Sequence, residues 1–332
     1  MNIDDVWTIE SNYALGMYKY IMWATGTWPL EEEGLFAMVR FGVSFALEFG
    51  ILVSILMEIR LNCGTVDETL DFFGLSASSV ISLTKLILMK LHQKDLRRIV
   101  LSALKDWSTF VEGSSTKDIM LKYTNRGKLG VQLLDAVFVD CGHDVFFFGI
   151  AMHICSQFDA LKIFCDELNV EDEENRIEKI KEFIERHSHV LDLAHRLGNT
   201  FNYILLVILM GNGIHICSAG IQMVVLSKQN DIVSLLKAIL LFNVLLGQLF
   251  LYSYAGDYLS SLSNNVCHLI YNCPWYEFSP STMRNLKFII MRTQIPFRLK
   301  AGRFYAMDIE NFKNILKAFF SYFSLLRIVF IE

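Results

Sequence analysis

Apolar residues in this chain come in long runs separated by charged stretches, and the runs set the expected elements. Between Arg196 and Lys228 lie 31 residues without a formal charge, more than the roughly 20 a helix needs to cross about 30 Å of hydrocarbon. Between Lys237 and Asp257 lie 19 more, and residues 36–58 form a third run whose interior, 41–57, is broken only by Glu48. Length predicts a spanning helix for each. Two runs are less pure. Residues 69–89 carry Asp71 and Lys85, and residues 131–158 carry Asp135, Asp140 and Asp144 around an uncharged centre at 145–158. Residues 311–329 are Phe-rich, but Lys313, Lys317 and Arg327 leave a centre too short for a helix facing lipid alone. That segment needs protein or water on one side.

Within it, Asn314, Lys317, Ser321, Ser324 and Ile328 recur at steps of 3 and 4 and form a largely polar stripe. Phe312, Phe319, Phe323 and Leu326 fall on other faces. One reading is the wall of a pore shared by several chains, polar below and narrowing to Leu325, Ile328 and Val329, where an apolar ring gates by dewetting. The other is a buried packing face with serines as helix–helix contacts. Residues 159–196 read as an amphipathic helix, with an acidic patch at 171–174 followed by apolar Ile177, Ile180, Ile184, Val190, Leu191 and Leu193.

Charge sets the sidedness and exposes a conflict. Eight basic residues in 93–128, against four acids, place that stretch in the cytoplasm, and so do six basic residues and no acid in 278–304. The first assignment puts the N-terminus inside, and the second sends 311–329 outward. Three candidate spans lie between them (131–158, 197–227, 238–256), and three crossings that start inside finish outside. A span is missing, a candidate does not cross, or a basic loop is misplaced.

Composition excludes most soluble chemistry. Hydrophobic residues are 53% of 332, with 26 Phe and only 4 Pro, and the net charge of −5 is not that of a nucleic-acid binder. The seven cysteines include no CxxC pair, so neither a disulfide framework nor a zinc site is expected. His187 and His189 lie two apart on one helix and point away from each other, which argues against a shared metal. No phosphate loop, nucleophile elbow or HExxH is present, so no enzyme or cofactor is expected. Glu48 and Lys85 are ionisable groups inside runs and pair if the first two spans are antiparallel neighbours. Asp257 and Lys85 also suit snorkelling to an interface. Gly211-Asn212-Gly213 is the one hint of a kinked, transporter-like helix.

The C-terminal third carries a more specific pattern. GDYLSSLSNNVCHLIYNCPWY (256–276), then MRTQIPFRLKAGRFYAMDIENFKNILKAFFSYFSLLR (291–327), resembles the signature of insect odorant receptors, as do HICSQFDALK (153–162) and RHSHVLDLAHRL (186–197). The resemblance implies an all-α, polytopic channel subunit with a cytoplasmic helical anchor. It implies a seven-helix, odorant-gated, non-selective cation channel with the N-terminus inside and the C-terminus outside. It implies assembly with a coreceptor subunit, with this chain as the variable tuning subunit. The implied partners are that coreceptor, a small volatile odorant, membrane lipid and permeant cations, with no nucleic acid.

The resemblance also locates the conflict. Relatives carry a third span and an outer loop where this chain passes from NRGKLG (125–130) directly to VQLLDAVFVDCGHDVFFF. An exon-skipped or mis-assembled form is expected. The resulting division is 1–35 interfacial, 36–158 ligand-domain spans, 159–200 cytoplasmic linker, 201–277 the next two spans, 278–308 basic anchor and 309–332 pore helix. By resemblance, Phe72, Phe73 and Ser76, Phe147, Phe148 and Met152, and Phe242, Asn243 and Leu246 wall the odorant pocket. Ser321, Ser324, Leu325, Ile328 and Val329 line the pore.

Overall fold

The computed structural model describes residues 7–32, 34–61, 66–110, 114–135, 142–168, 173–229 and 231–331; of 66–71, 73, 129–135, 173, 228 and 326–331 it describes the backbone alone. The chain order is α1 (Ile9–Ala24), α2 (Leu35–Leu61), α3 (Val66–Leu91), α4 (Gln93–Thr109), α5 (Ser115–Asp135), α6 (Gly142–Asp166), α7 (Glu173–Gln229), α8 (Ile232–Tyr271), α9 (Pro280–Thr293), a two-strand hairpin of β1 (Lys300–Ala301) and β2 (Tyr305–Ala306), and α10 (Ile309–Ile331).

Local chemistry explains the boundaries. Thr8 and Ser11 form a reciprocal capping box on α1. Asp231 caps α8 through Ser234 N at 3.3 Å, and Ser279 followed by Pro280 opens α9. Asp308 accepts from Asn311 N at 2.7 Å at the start of α10. The Ala-Gly-x-Phe motif is the turn of the β hairpin, where Gly302 and Arg303 both have positive φ (62° and 65°). Asn202 of α7 holds that turn, because Arg303 N donates to its Oδ1 at 2.8 Å. Gly256, in the Gly-Asp motif, lies where any Cβ would overlap the Met307 carbonyl oxygen. Glycine there lets the start of α10 close onto α8.

Four helices among the described residues are long and apolar enough to cross a membrane: α2, α3 from Gly74, α7 and α8. α2 has one buried residue, Ala37, and exposes Phe36, Val43, Leu47, Phe49, Ile51 and Met57, an apolar surface suited to lipid as its solvent. α7 is the centre of the fold, packed against α3, α4, α6, α8 and α10. Its 57 residues run about 86 Å at 1.5 Å per residue. The predicted boundary at 200 therefore falls inside one helix: amphipathic 173–196 and apolar 197–227 join in unbroken helix through Gly198. The Gly211-Asn212-Gly213 segment is unbroken helix too. Gly211 instead admits the side chain of Ile81, bringing α3 close to α7.

α5 and α6 form an antiparallel pair. Tyr123 of α5 donates to Asp159 of α6 at 3.1 Å, while Gly127, nearer the connection, lies against Gly149 and Met152. α1 lies across both: Tyr18 packs on Gly127 and Gly149, Tyr13 donates to Asn125 at 2.9 Å, and Lys117 pairs with Glu10 at 3.0 Å. Every residue from Gly142 to Phe158 is buried, so α6 is wrapped by protein on all sides.

Candidate functional site

The first turn of α6 carries a charged group into this packed interior. Lys85 of α3 donates to Asp144 at 2.8 Å, with the two side chains 5% and 2% exposed. Gln248 and Tyr252 of α8 also donate to the same carboxylate, and Asn212 of α7 donates to Gln248 Oε1 at 3.0 Å. One polar chain thus ties α3, α6, α8 and α7 together. The carboxylate that Lys85 meets is Asp144, not the Glu48 expected from the run pattern; Glu48 lies beside Ser82, Leu86 and His143 in a cavity of about 190 Å3.

The nine expected pocket residues do not line one space. Phe147, Phe148 and Met152 are buried, and Phe147 packs on Phe201 and Tyr252 with ring centroids 4.8 and 5.1 Å apart. The cavity among Asp144, Phe147, Phe148, Gln248 and Tyr252 is only about 10 Å3, room for about one water and far too small for an odorant. Phe242 faces elsewhere, onto a partly open apolar cavity of about 190 Å3 between α7, α8 and α10, with Met223, Gly220, Phe319 and Phe323 on its other walls. Asn243 is exposed and donates its amide to the Ile239 carbonyl at 2.8 Å. Leu246, Phe72 and Ser76 are half-buried; the side chain of Phe73 lies outside the described part. Gln248 and Tyr252 were missed by sequence reasoning, although a glutamine inside an uncharged run is itself a signal of a buried polar partner.

α10 resolves which of its faces is covered. Phe312, Ile315, Leu316, Phe319 and Phe323 pack toward α7 and α8, whereas Asn314, Lys317, Ser321, Ser324 and Leu325 are exposed in the single chain. The polar stripe is therefore not a packing face within this chain. The side chains of Ile328 and Val329 lie outside the described part.

A second buried charge sits below, where α4 meets α6 and α7. Asp106, 3% exposed, accepts from His153 and His189, each at 3.2 Å, with Arg186 3.6 Å away. Burial pushes this carboxyl up, but the two histidine hydrogen bonds and their charge outweigh it and hold it down at about 2. His187 and His195 turn the other way, into a cleft against α9. The three histidines near Asp192 are thus divided between two sites.

Comparison with known proteins agrees with this architecture. The backbone superposes on the insect olfactory receptor OR5 from Machilis hrabei, solved in complex with eugenol, with a TM-score of 0.74 over 97% of this chain and 99% of that one, at 12% identity. Odorant receptor 13a of Drosophila melanogaster is 32% identical over 168 residues, 47% of this chain and 40% of that receptor. The odorant receptor coreceptor of Aedes aegypti is 26% identical over 152 residues, 44% of this chain and 30% of that protein. The matched stretch thus spans less than half the length of either relative. Residues 131–320, more than half of the chain, match the sequence profile of the 7tm odorant receptor. The chain is a multi-pass helical membrane protein and belongs to the odorant receptor family.

Proposed function

We propose that this chain is the odorant-binding subunit of a ligand-gated, non-selective cation channel that works with a coreceptor subunit in smell. The observation that carries this reading is the exposed polar stripe of α10. Asn314, Lys317, Ser321 and Ser324 are left uncovered on a helix whose other face half-buries Phe312, Phe319 and Phe323 against α7 and α8. A membrane helix with an unpartnered polar stripe calls for water or further chains, and several such helices around an axis supply both. Leu325 and, by the resemblance, Ile328 and Val329 then form the narrow apolar end.

The charge conflict is resolved if one candidate run does not cross. α5 and α6 are read as a hairpin that dips into the cytoplasmic half of the membrane and returns. α6 starts level with Lys85, Gln248 and Tyr252, near the inner ends of α3 and of the 238–256 run. α2 then goes out, α3 in, α7 out, α8 in and α10 out. The N-terminus lies inside and the C-terminus outside, as both basic stretches require.

The partly open cavity behind α10 suits a volatile ligand. Its walls are apolar, so selection there is by shape and burial at about 25 cal/mol per Å2. Phe319 and Phe323 of the pore helix are part of the wall, so filling the cavity biases the position of α10 and shifts the population toward an open arrangement. Co-expression with a coreceptor and current recording over an odour panel tests the proposal: an odour-gated cation current supports it, and substrate uptake without current overturns it. The closed space at Phe147 and Phe148 favours a second reading, a non-conducting form that only assembles with the coreceptor. Assembly with silence at every odour is its signature.

A further inference from the structure

One sizeable cleft lies outside the membrane-spanning part. It has a volume of about 500 Å3 and lies between the amphipathic half of α7 and α9. Leu191 and Ile289 form its buried apolar floor, with the buried His187 beside them, and its rim carries the exposed Ile184, Phe288, His195, Asn285 and Arg292. Arg292 makes no ion pair or hydrogen bond among the described residues, and neither imidazole has a hydrogen-bond partner there. The one carboxylate in the cleft, Asp192, is already engaged by Arg196 at 2.6 Å. The cleft thus offers a guanidinium and several hydrogen-bonding groups with no protein acceptor to take them.

Place adds to the chemistry. His195 directly precedes Arg196, where the uncharged run of α7 begins, and His187 lies about 12 Å further from it along the helix. The cleft therefore opens at the membrane–water boundary, where lipid headgroups sit. α9 adds Arg284 and Lys287, and no acid occurs in 278–304, so the local field favours an anion. Arg is the side chain best suited to bind phosphate oxygens in a two-pronged way.

We propose that this cleft binds a phosphate monoester, with Arg292 as its charged contact and His187 and His195 as neutral hydrogen-bond partners, and that its source is an anionic lipid headgroup of the adjoining leaflet. The apolar floor takes the first part of the lipid's glycerol and acyl region. Burial, with the charge of Arg292 second, holds His187 down at about 4 and lowers His195 as well, so at neutral pH Arg292 is the only full positive charge among the lining residues. The proposal rests on the topology above for the choice of leaflet alone; binding is read without any channel current.

The test uses the full chain in nanodiscs of phosphatidylcholine with a minor fraction of either phosphatidic acid or phosphatidylinositol 4-phosphate. A parallel arm titrates soluble inorganic phosphate into pure phosphatidylcholine discs. The readouts are bound lipid counted by native mass spectrometry and the shift in unfolding temperature. Retention of the phosphomonoester lipid is expected, falling roughly tenfold in Arg292→Gln, the loss of one charge-assisted contact, and falling also in His187→Gln. Arg284→Gln removes the same charge from the same helix outside the cleft lining and is expected to weaken binding far less, through the local field alone. Equal weakening by Arg284→Gln, or no preference over phosphatidylcholine in either lipid, overturns the site. Saturable protection by inorganic phosphate alone, lost in Arg292→Gln, keeps the phosphate site and overturns the lipid source.

Discussion

Lys85 and Asp144 are 59 residues apart in sequence and form a buried ion pair at 2.8 Å that fastens α3 to α6. The pair is not isolated, because Gln248 and Tyr252 supply further donors to the carboxylate. A buried pair satisfied in this way is costly to break from one side. The partner left behind keeps its charge without its compensation.

Asp144→Asn or Lys85→Met alone is expected to destabilise the chain by about 3–5 kcal/mol, seen as a large fall in unfolding temperature in detergent. The double variant Lys85→Met, Asp144→Leu is expected to recover much of that loss. A double variant that equals the sum of the two singles would show that the residues are uncoupled.

Cysteines at Ser321, Ser324 and Leu325 are expected to react with aqueous thiol reagents in a working assembly and to alter its current. Cysteines at Leu316 and Phe319, on the packed face, are expected to react much more slowly. Equal rates on both faces would remove the assignment of α10 to a water-filled path.

The apolar cavity and the packed core separate by mutation. Phe242→Ala enlarges the cavity between α7, α8 and α10 and is expected to shift odour preference toward bulkier volatiles with assembly intact. Phe148→Ala opens a packed core and is expected to cost about 3–5 kcal/mol of stability, with weaker effect on preference. Dose–response curves on a size-graded odour series, together with surface expression, distinguish the two outcomes.

Asp106 gives a pH signature. Its carboxyl is held at about 2 in the folded chain, below the ordinary value near 3.9. A lowered acid contributes stability that is present above the unfolded value and is lost as pH falls through the folded one. The contribution is on the order of 2 kcal/mol. The gap in stability between the parent chain and Asp106→Asn is expected to stay constant from neutral pH down to about 5 and to close between about 4 and 2. A gap independent of pH over that acid range would show that the histidine contacts do not act on this carboxylate.

The spans were readable because length and lack of charge in 36–58, 197–227 and 238–256 leave few other folds. The contacts that join them were not. α8 is apolar nearly all round, so no period could tell that Phe242 faces α10 while Tyr252 faces Asp144. Asp144 stood out as a charge, but its partner lies in a distant helix, and a sequence carries no distance between helices. The joining of 173–196 to 197–227 was missed because a change from amphipathic to apolar, with Gly198 beside it, reads like a boundary; the helix runs through that glycine, which instead gives room to the ring of Phe297. The stripe on α10 was legible from its 3 and 4 spacing. Which side of it the chain covers required knowing where Phe319 and Phe323 pack.

The uninterrupted course of α7 has a mechanical meaning. A single helix reaching from the histidine-lined cleft to Ser227, continuous through Gly198, Gly211, Gly213 and Gly220, has no break at which to absorb a displacement at one end. A push or twist applied at its foot must therefore reappear near its top, next to the helix that carries Ser321 and Ser324. Whatever settles into the lower cleft has leverage over the upper half of the molecule.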